Sequence, residues 1–386
     1  MADDDRAGSH EGGALNAAIK DAERLRPPGR VGVLFDRLLT AAGTRELQPV
    51  LGAVDPTWGG VWVSGDNAAL KIAGYRDAGF GELVLVPDPE AYCKRCATPE
   101  VPFDLPDTLD GGLEAVLDDQ LDRGASVAAT PSLYVAAGDS ASLKAQVRRV
   151  SELERDDTVF VVAAAVAWLN KTFIDQFSAL LQAAKTPIGL RLGGQFDPLA
   201  KVKEAPENLR RLEREVPHLM RLGTDLSAVD GLCHNAFAGA IGLTSTRRHL
   251  VPPGEIPKSA PSDGPPPPSV LVGELLSFIR TTSLAEKFAN SAPPSCSCSI
   301  CHGQKLTRLL HPTEDKLEAR SHNIAVWSAL MRTLQRELPR RADRGEWWKK
   351  RCQVAVDHHT LFNDQLRNPK AFKSQAVLTR WATLPA

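Results

Sequence analysis

Residues 158–194 read TVFVVAAAVAWLNKTFIDQFSALLQAAKTPIGLRLGG. Positions 159–166 are an apolar run without alternation, as in a strand buried on both faces. Phe173, Phe177, Leu180, Leu181 and Ala184 then recur at helical spacing within 171–185, and 188–192 is a second apolar run. Strand, helix and strand in so short a stretch make a βα repeat with parallel strands. The same alternation extends outward in both directions. Further strands are expected at 49–55, 60–64, 83–86, 126–130, 219–223 and 238–243, and further helices at 140–155 and 204–216. Eight strands in about 200 residues predict a (β/α)8 barrel of the TIM type. A doubly wound open sheet is the alternative, although no GxGxxG follows the first strand.

The chain has 386 residues, 43% apolar and 24% charged, which excludes a collagen-like or wholly disordered chain. Its longest apolar run, 159–169, is 11 residues. A membrane helix needs roughly 20, so no membrane partner is expected. The opening MADDDRAGSHEGG has no apolar core for a signal peptide, and a cytoplasmic location is expected. Residues 1–29 read as a polar mobile head with a short helix at 14–25, and 30–250 as the barrel body. Residues 251–268 form a loop with eight prolines, and 269–386 a zinc-binding, basic helical subdomain. Residues 301–386 hold 16 Lys/Arg against 8 Asp/Glu on a chain of net charge −1, so an anionic partner is expected there.

The most specific motif is SCSCSICHG at 295–303 followed by His322, a Cys-x-Cys-x2-Cys-x20-His spacing. Three thiolates and an imidazole complete a tetrahedral Zn²⁺ site from Cys296, Cys298, Cys301 and His322, with His302 and His311 as competing ligands. Four protein ligands leave no position for water, so the zinc is expected to be structural. Cys93 and Cys96 read as an ordinary loop pair. Predicted strands end at or beside Asp55, Asp66, Asp88, Asp197 and Asp225, where barrel enzymes place their chemistry; each is also an ordinary cap residue. The basic stretch 331–351 carries Arg340, Arg341, Arg344, Lys349 and Lys350 around Trp347 and Trp348, a composition suited to phosphates and unstacked bases.

The cysteine motif, closed by the pair His322–Asn323, resembles the zinc site of the tRNA-guanine transglycosylase family. LRLGGQFDP at 190–198 is similar to the Gly-rich base-recognition strand end of that family, and Thr246–Arg247 to a Thr–Arg pair after its last strand. The resemblance covers 187–350 and identifies the chain as a divergent member. It implies a barrel that exchanges guanine for a 7-deazaguanine-type base in a polynucleotide, DNA or tRNA. Gly193, Gly194, Asp197, Arg247 and Arg248 would bind substrate, and a homodimer or partner subunit is the assembly to look for. The family's nucleophilic Asp, however, falls in 239–243, which reads GAIGL. An enzyme therefore needs another carboxylate: Asp225 is the expected nucleophile and Asp66 its proton-handling partner. The alternatives are a non-catalytic binding subunit that keeps the barrel and zinc, and an unrelated barrel enzyme with a small substrate.

Overall fold

The computed structural model describes residues 19–106, 111–258 and 266–386. Eight strands run in parallel: β1 (Leu38–Gly43), β2 (Val61–Ser64), β3 (Leu85–Asp88), β4 (Ala128–Ala129), β5 (Thr158–Ala165), β6 (Ile188–Gly193), β7 (Leu219–Thr224) and β8 (Gly239–Gly242). Their spatial order is β3-β2-β1-β8-β7-β6-β5-β4. Across the remaining seam, Ser126 N donates to Leu85 O at 2.8 Å and Leu85 N to Ser126 Oγ at 3.0 Å. The sheet is a nearly closed barrel of the (β/α)8 TIM type, as the alternation predicted. The intervening helices are α1 (Ala68–Asp77), α2 (Gly112–Asp122), α3 (Ser140–Ser151), α4 (Ile174–Gln182), α5 (Ala205–Glu215) and α6 (Ser227–Cys233).

Alternate strand residues fill the interior. Leu39, Ala41, Trp62, Val86, Val161 and Met220 form an inner core, while Val63, Phe160, Leu190 and Leu219 join the layer under the helices. The first strand differs from expectation. Residues 49–55 do not form a strand: Pro49 opens a 3-10 turn over Gln48–Ala53. Proline has no amide to give a ladder, and its fixed φ suits a turn. The strand is the preceding LLTAAG, whose small residues let the barrel close tightly. Of the expected helix at 14–25, residues 19–25 are helical and 14–18 lie outside the described residues, as does the rest of the head. Residues 251–258 and 266–268 form neither helix nor strand, and 259–265 lie outside the description.

Beyond the barrel come an antiparallel hairpin, β9 (Ser269–Val272) and β10 (Ser277–Arg280), and helices α7 (Thr281–Lys287), α8 (Lys316–Arg336), α9 (Arg341–Gln365) and α10 (Ala376–Thr383). Helix α8 runs down the barrel wall. Arg320 near its start meets Glu46 at the carboxyl end of the strands at 3.3 Å, and Gln335 near its finish donates to the carbonyl of Asp36 at the other end. Among the described residues no helix is long and apolar enough to cross a membrane.

Candidate metal centre and barrel rim

Backbone hydrogen bonds shape the cysteine loop. Cys296 N donates to Gln304 O at 3.0 Å, Gly303 N to Cys296 O at 2.8 Å, and Cys301 N to Cys298 O at 3.1 Å. The reversal needs two left-handed residues, His302 (φ 48°) and Gly303 (φ 84°). Helix α8 brings in His322, fully buried, and the four ligand atoms of Cys296, Cys298, Cys301 and His322 lie within 4.8 Å of one another. His322 Nδ1 stands 3.2 Å from Cys301 Sγ and 3.5 Å from Cys298 Sγ. Its Nε2 lies 3.0 Å from Leu271 O, so donation there leaves the Nδ1 lone pair aimed at the sulfurs. Asn323 accepts from Leu271 N at 2.6 Å and donates to Ser269 O at 2.9 Å. Adjacent positions of α8 thus hold the sulfur cluster and strand β9 together. The thiol of Cys296 draws Cys298 down to about 3, and burial with the Cys298 charge pushes Cys301 up to about 11. The four-residue set could hold a metal ion and is compatible with zinc. His302 and His311 are outside the cluster, and Cys93 and Cys96 are free thiols in no metal-binding group among the described residues.

Two loops at the carboxyl ends of the strands bring together carboxylates expected from the sequence. Asp197, after β6, accepts from Leu199 N at 3.0 Å, and Asp225, after β7, from Ser227 N at 2.9 Å. Both are caps, and both also face one cleft of about 630 Å³ between the barrel rim and the C-terminal subdomain. Arg248, Arg280, Lys316 and Arg320 line the same cleft. Burial and the neighbouring charge of Asp225 push Asp197 up to about 7. Burial pushes His249 down to about 4, and its buried Nδ1 has no partner. Arg248 lies 3.8 Å from the ring centre of Phe278 and donates to Gly242 O at 3.1 Å. A carboxyl raised toward neutrality beside a second carboxyl group suits acid–base chemistry.

The mouth of the barrel is filled by Asp88 and Arg247, which the sequence had brought forward, and by Trp62, Tyr92 and Arg191, which sequence reasoning passed over. Asp88 accepts from Trp62 Nε1 at 2.8 Å and from the hydroxyl of Tyr92 at 2.6 Å. Glu90, left-handed at φ 52°, pairs with Arg247, which also reaches toward Glu46 at 3.8 Å. Arg191, only 4% exposed, points inward with its guanidinium 5.8 Å from the Tyr92 ring centre and its Nε without a partner. A Cβ at Gly223 would strike that guanidinium, and one at Gly193 would strike the Tyr134 hydroxyl. The signal for Arg191 was strand parity: it shares the inward face with Gly189 and Gly193.

Several expected site residues stand elsewhere. Asp66 is exposed, pairs with Lys94 at 2.9 Å and does not line the cleft, so it is not placed beside Asp225 as expected. Gly193 and Gly194 are not an open platform, because Gly194 N donates to Leu250 O at 2.8 Å and Tyr134 covers Gly193. Arg247 is held by Glu90, leaving Arg248 in the cleft. Arg341 and Arg344 are buried, on Asp36 at 3.1 and 2.6 Å, and are unavailable to a nucleic acid. Their charge serves to dock α9 beneath the barrel. Arg340 pairs locally with Asp343, while Lys349 is half-buried and Lys350 exposed. The chain matches no protein-family model and no curated protein, so its function has to be read from its own side chains.

Proposed function

We propose that this protein is a zinc-stabilised barrel of transglycosylase type that exchanges a guanine-class base in a polynucleotide, with the rim cleft as its active site. The observation that carries this reading is the Asp197–Asp225 pair among the cations of that cleft. Arg280 and Lys316 have no carboxylate at ion-pair distance among the described residues, which suits phosphate binding. The target nucleotide would be extruded from any duplex to reach the rim. Asp225 would attack C1′ as the C1′–N9 bond breaks, and the Asp197 carboxyl would give its proton to N9 of the departing base. A 7-deazaguanine would then lose its N9 proton to Asp197 and attack C1′, releasing the Asp225 carboxylate. Zinc held by Cys296, Cys298, Cys301 and His322 would anchor the subdomain that supplies half of the cleft.

The test is incubation with labelled guanine-containing DNA and tRNA plus a 7-deazaguanine base. Exchange by the wild type, lost in Asp225→Asn with folding and metal content intact, supports the assignment. A second reading, a non-catalytic polynucleotide-binding partner subunit, draws on the filled barrel mouth and the absence of a carboxylate on β8. Binding without exchange on either nucleic acid would favour it.

A further inference from the structure

A second concave surface lies on the far side of α8 from the rim cleft. It is a furrow of about 560 Å³ between α8 and α9, with Cys296 and Cys298 of the metal loop among its lining residues. Its existence follows from the sequence of the two helices. Helix α8 presents Ala325, Ala329 and Thr333, spaced i, i+4, i+8, which are too small to meet α9. Helix α9 presents Trp347, Arg351, Val354 and His358, spaced i, i+4, i+7, i+11, which form one stripe along its face.

The stripe contains groups without partners. Arg351 is half-buried, its Nε makes no hydrogen bond, and its nearest aromatic neighbour is Trp347, 5.7 Å from guanidinium to ring centre. Burial lowers Arg351, and no carboxylate offsets that cost. A desolvated guanidinium without a counter-charge is an incomplete arrangement. Two turns further along, His358 Nδ1 is likewise buried and unpaired. Arg332 enters from α8, has no ion pair among the described residues and lies with its guanidinium 5.5 Å from the ring centre of Trp58, and Glu274 is the single carboxylate in the lining. Trp347 is half-buried, and the neighbouring Val354 is 45% exposed, so apolar surface lies open beside the cations.

We infer that this furrow binds an unpaired nucleotide of a single-stranded polynucleotide, its base on Trp347 and its phosphate on Arg351 with Arg332. A guanidinium beside a half-exposed aromatic ring matches the two halves of a nucleotide, whereas a phosphorylated peptide would leave the ring without a stacking partner. This site is separate from the rim carboxylates and is independent of whether they exchange a base.

The test is fluorescence anisotropy of the full chain with a labelled single-stranded decanucleotide, run beside an abasic strand of equal length, the matching duplex and a phosphorylated peptide. The single strand should bind best, with the abasic strand weaker by about tenfold for the loss of stacking. Arg351→Gln should weaken binding and flatten its dependence on salt. Ala329→Phe fills the furrow from an exposed helix position without altering charge, and it should abolish the preference for the single strand over the abasic strand even if Trp347→Leu fails to fold. Lys71→Gln, an exposed charge on α1 outside both clefts, should bind like wild type. Unchanged binding in both Arg351→Gln and Ala329→Phe would overturn the inference. So would equal affinity for the abasic strand, or binding of the phosphopeptide but not the oligonucleotide.

Discussion

Asp197 keeps a proton that the same residue in an unfolded chain would release. Its carboxyl is raised by burial and by Asp225 to about 7, against an ordinary value of 3.8. Between those limits the folded state binds more protons than the unfolded state, so stability falls as pH rises through the window and levels off above it. Asp197→Asn keeps the capping group but removes the charge, and should match wild type near pH 4 and exceed it near pH 8. The difference should be on the order of 1–2 kcal/mol after solvent screening, read from urea denaturation at the two pH values. Base exchange, if it uses this proton, should fall above about pH 7 on the alkaline side. Asp36 shows the opposite behaviour. Burial raises it, but Arg341 and Arg344 more than offset that and hold it below its usual range. Asp36→Ala would strand two buried guanidinium groups and should cost about 3–5 kcal/mol, measured by the same denaturation.

At the scale of elements, α8 is the part on which the C-terminal subdomain depends. His322 and Asn323 tie β9 to the metal loop, while Arg320 and Gln335 tie the same helix to both ends of the barrel. If the cluster holds zinc as proposed, Cys298→Ala or a strong chelator should release it and expose β9 and β10 to amide exchange while β1–β8 stay protected. Hydrogen-exchange mass spectrometry checks this, and equal loss of protection in the barrel would contradict it. Seven of the eight strands were legible because strands covered on both faces are written as apolar runs. Leu38–Gly43 was not, because Thr40, Ala41, Ala42 and Gly43 carry little hydrophobic signal, while the nearby PVLGAVD carries more. The metal site was legible because its spacing is local. The fate of Arg341 and Arg344 was not: a basic helix reads the same whether it faces solvent or one buried aspartate some 300 residues away. Asp197 and Asp225 were each visible as strand-end acids, but their meeting in one cleft depends on how two loops turn outward from the barrel.

For the whole molecule, charge is divided by region rather than by sum. A net charge of −1 hides a cleft lined by Arg248, Arg280, Lys316 and Arg320. Binding of duplex DNA there should weaken steeply with salt, and Arg280→Ala with Lys316→Ala should reduce the slope of log affinity against log salt by about two. The loss should be alike for all sequences, since phosphates carry no sequence information; a sequence-dependent loss in titrations at several salt concentrations would point to base contacts instead. The barrel interior leads elsewhere. Tyr134 occupies the space over Gly193, and Arg191 the space over Gly223, so two removable side chains help to fill the mouth. Shortening them would turn the protein into a host with a shaped vacancy. Methylguanidinium at millimolar concentration should then act as a guest for Arg191→Ala, raising its melting temperature while leaving the wild type unmoved, and small phenols should do the same for Tyr134→Ala.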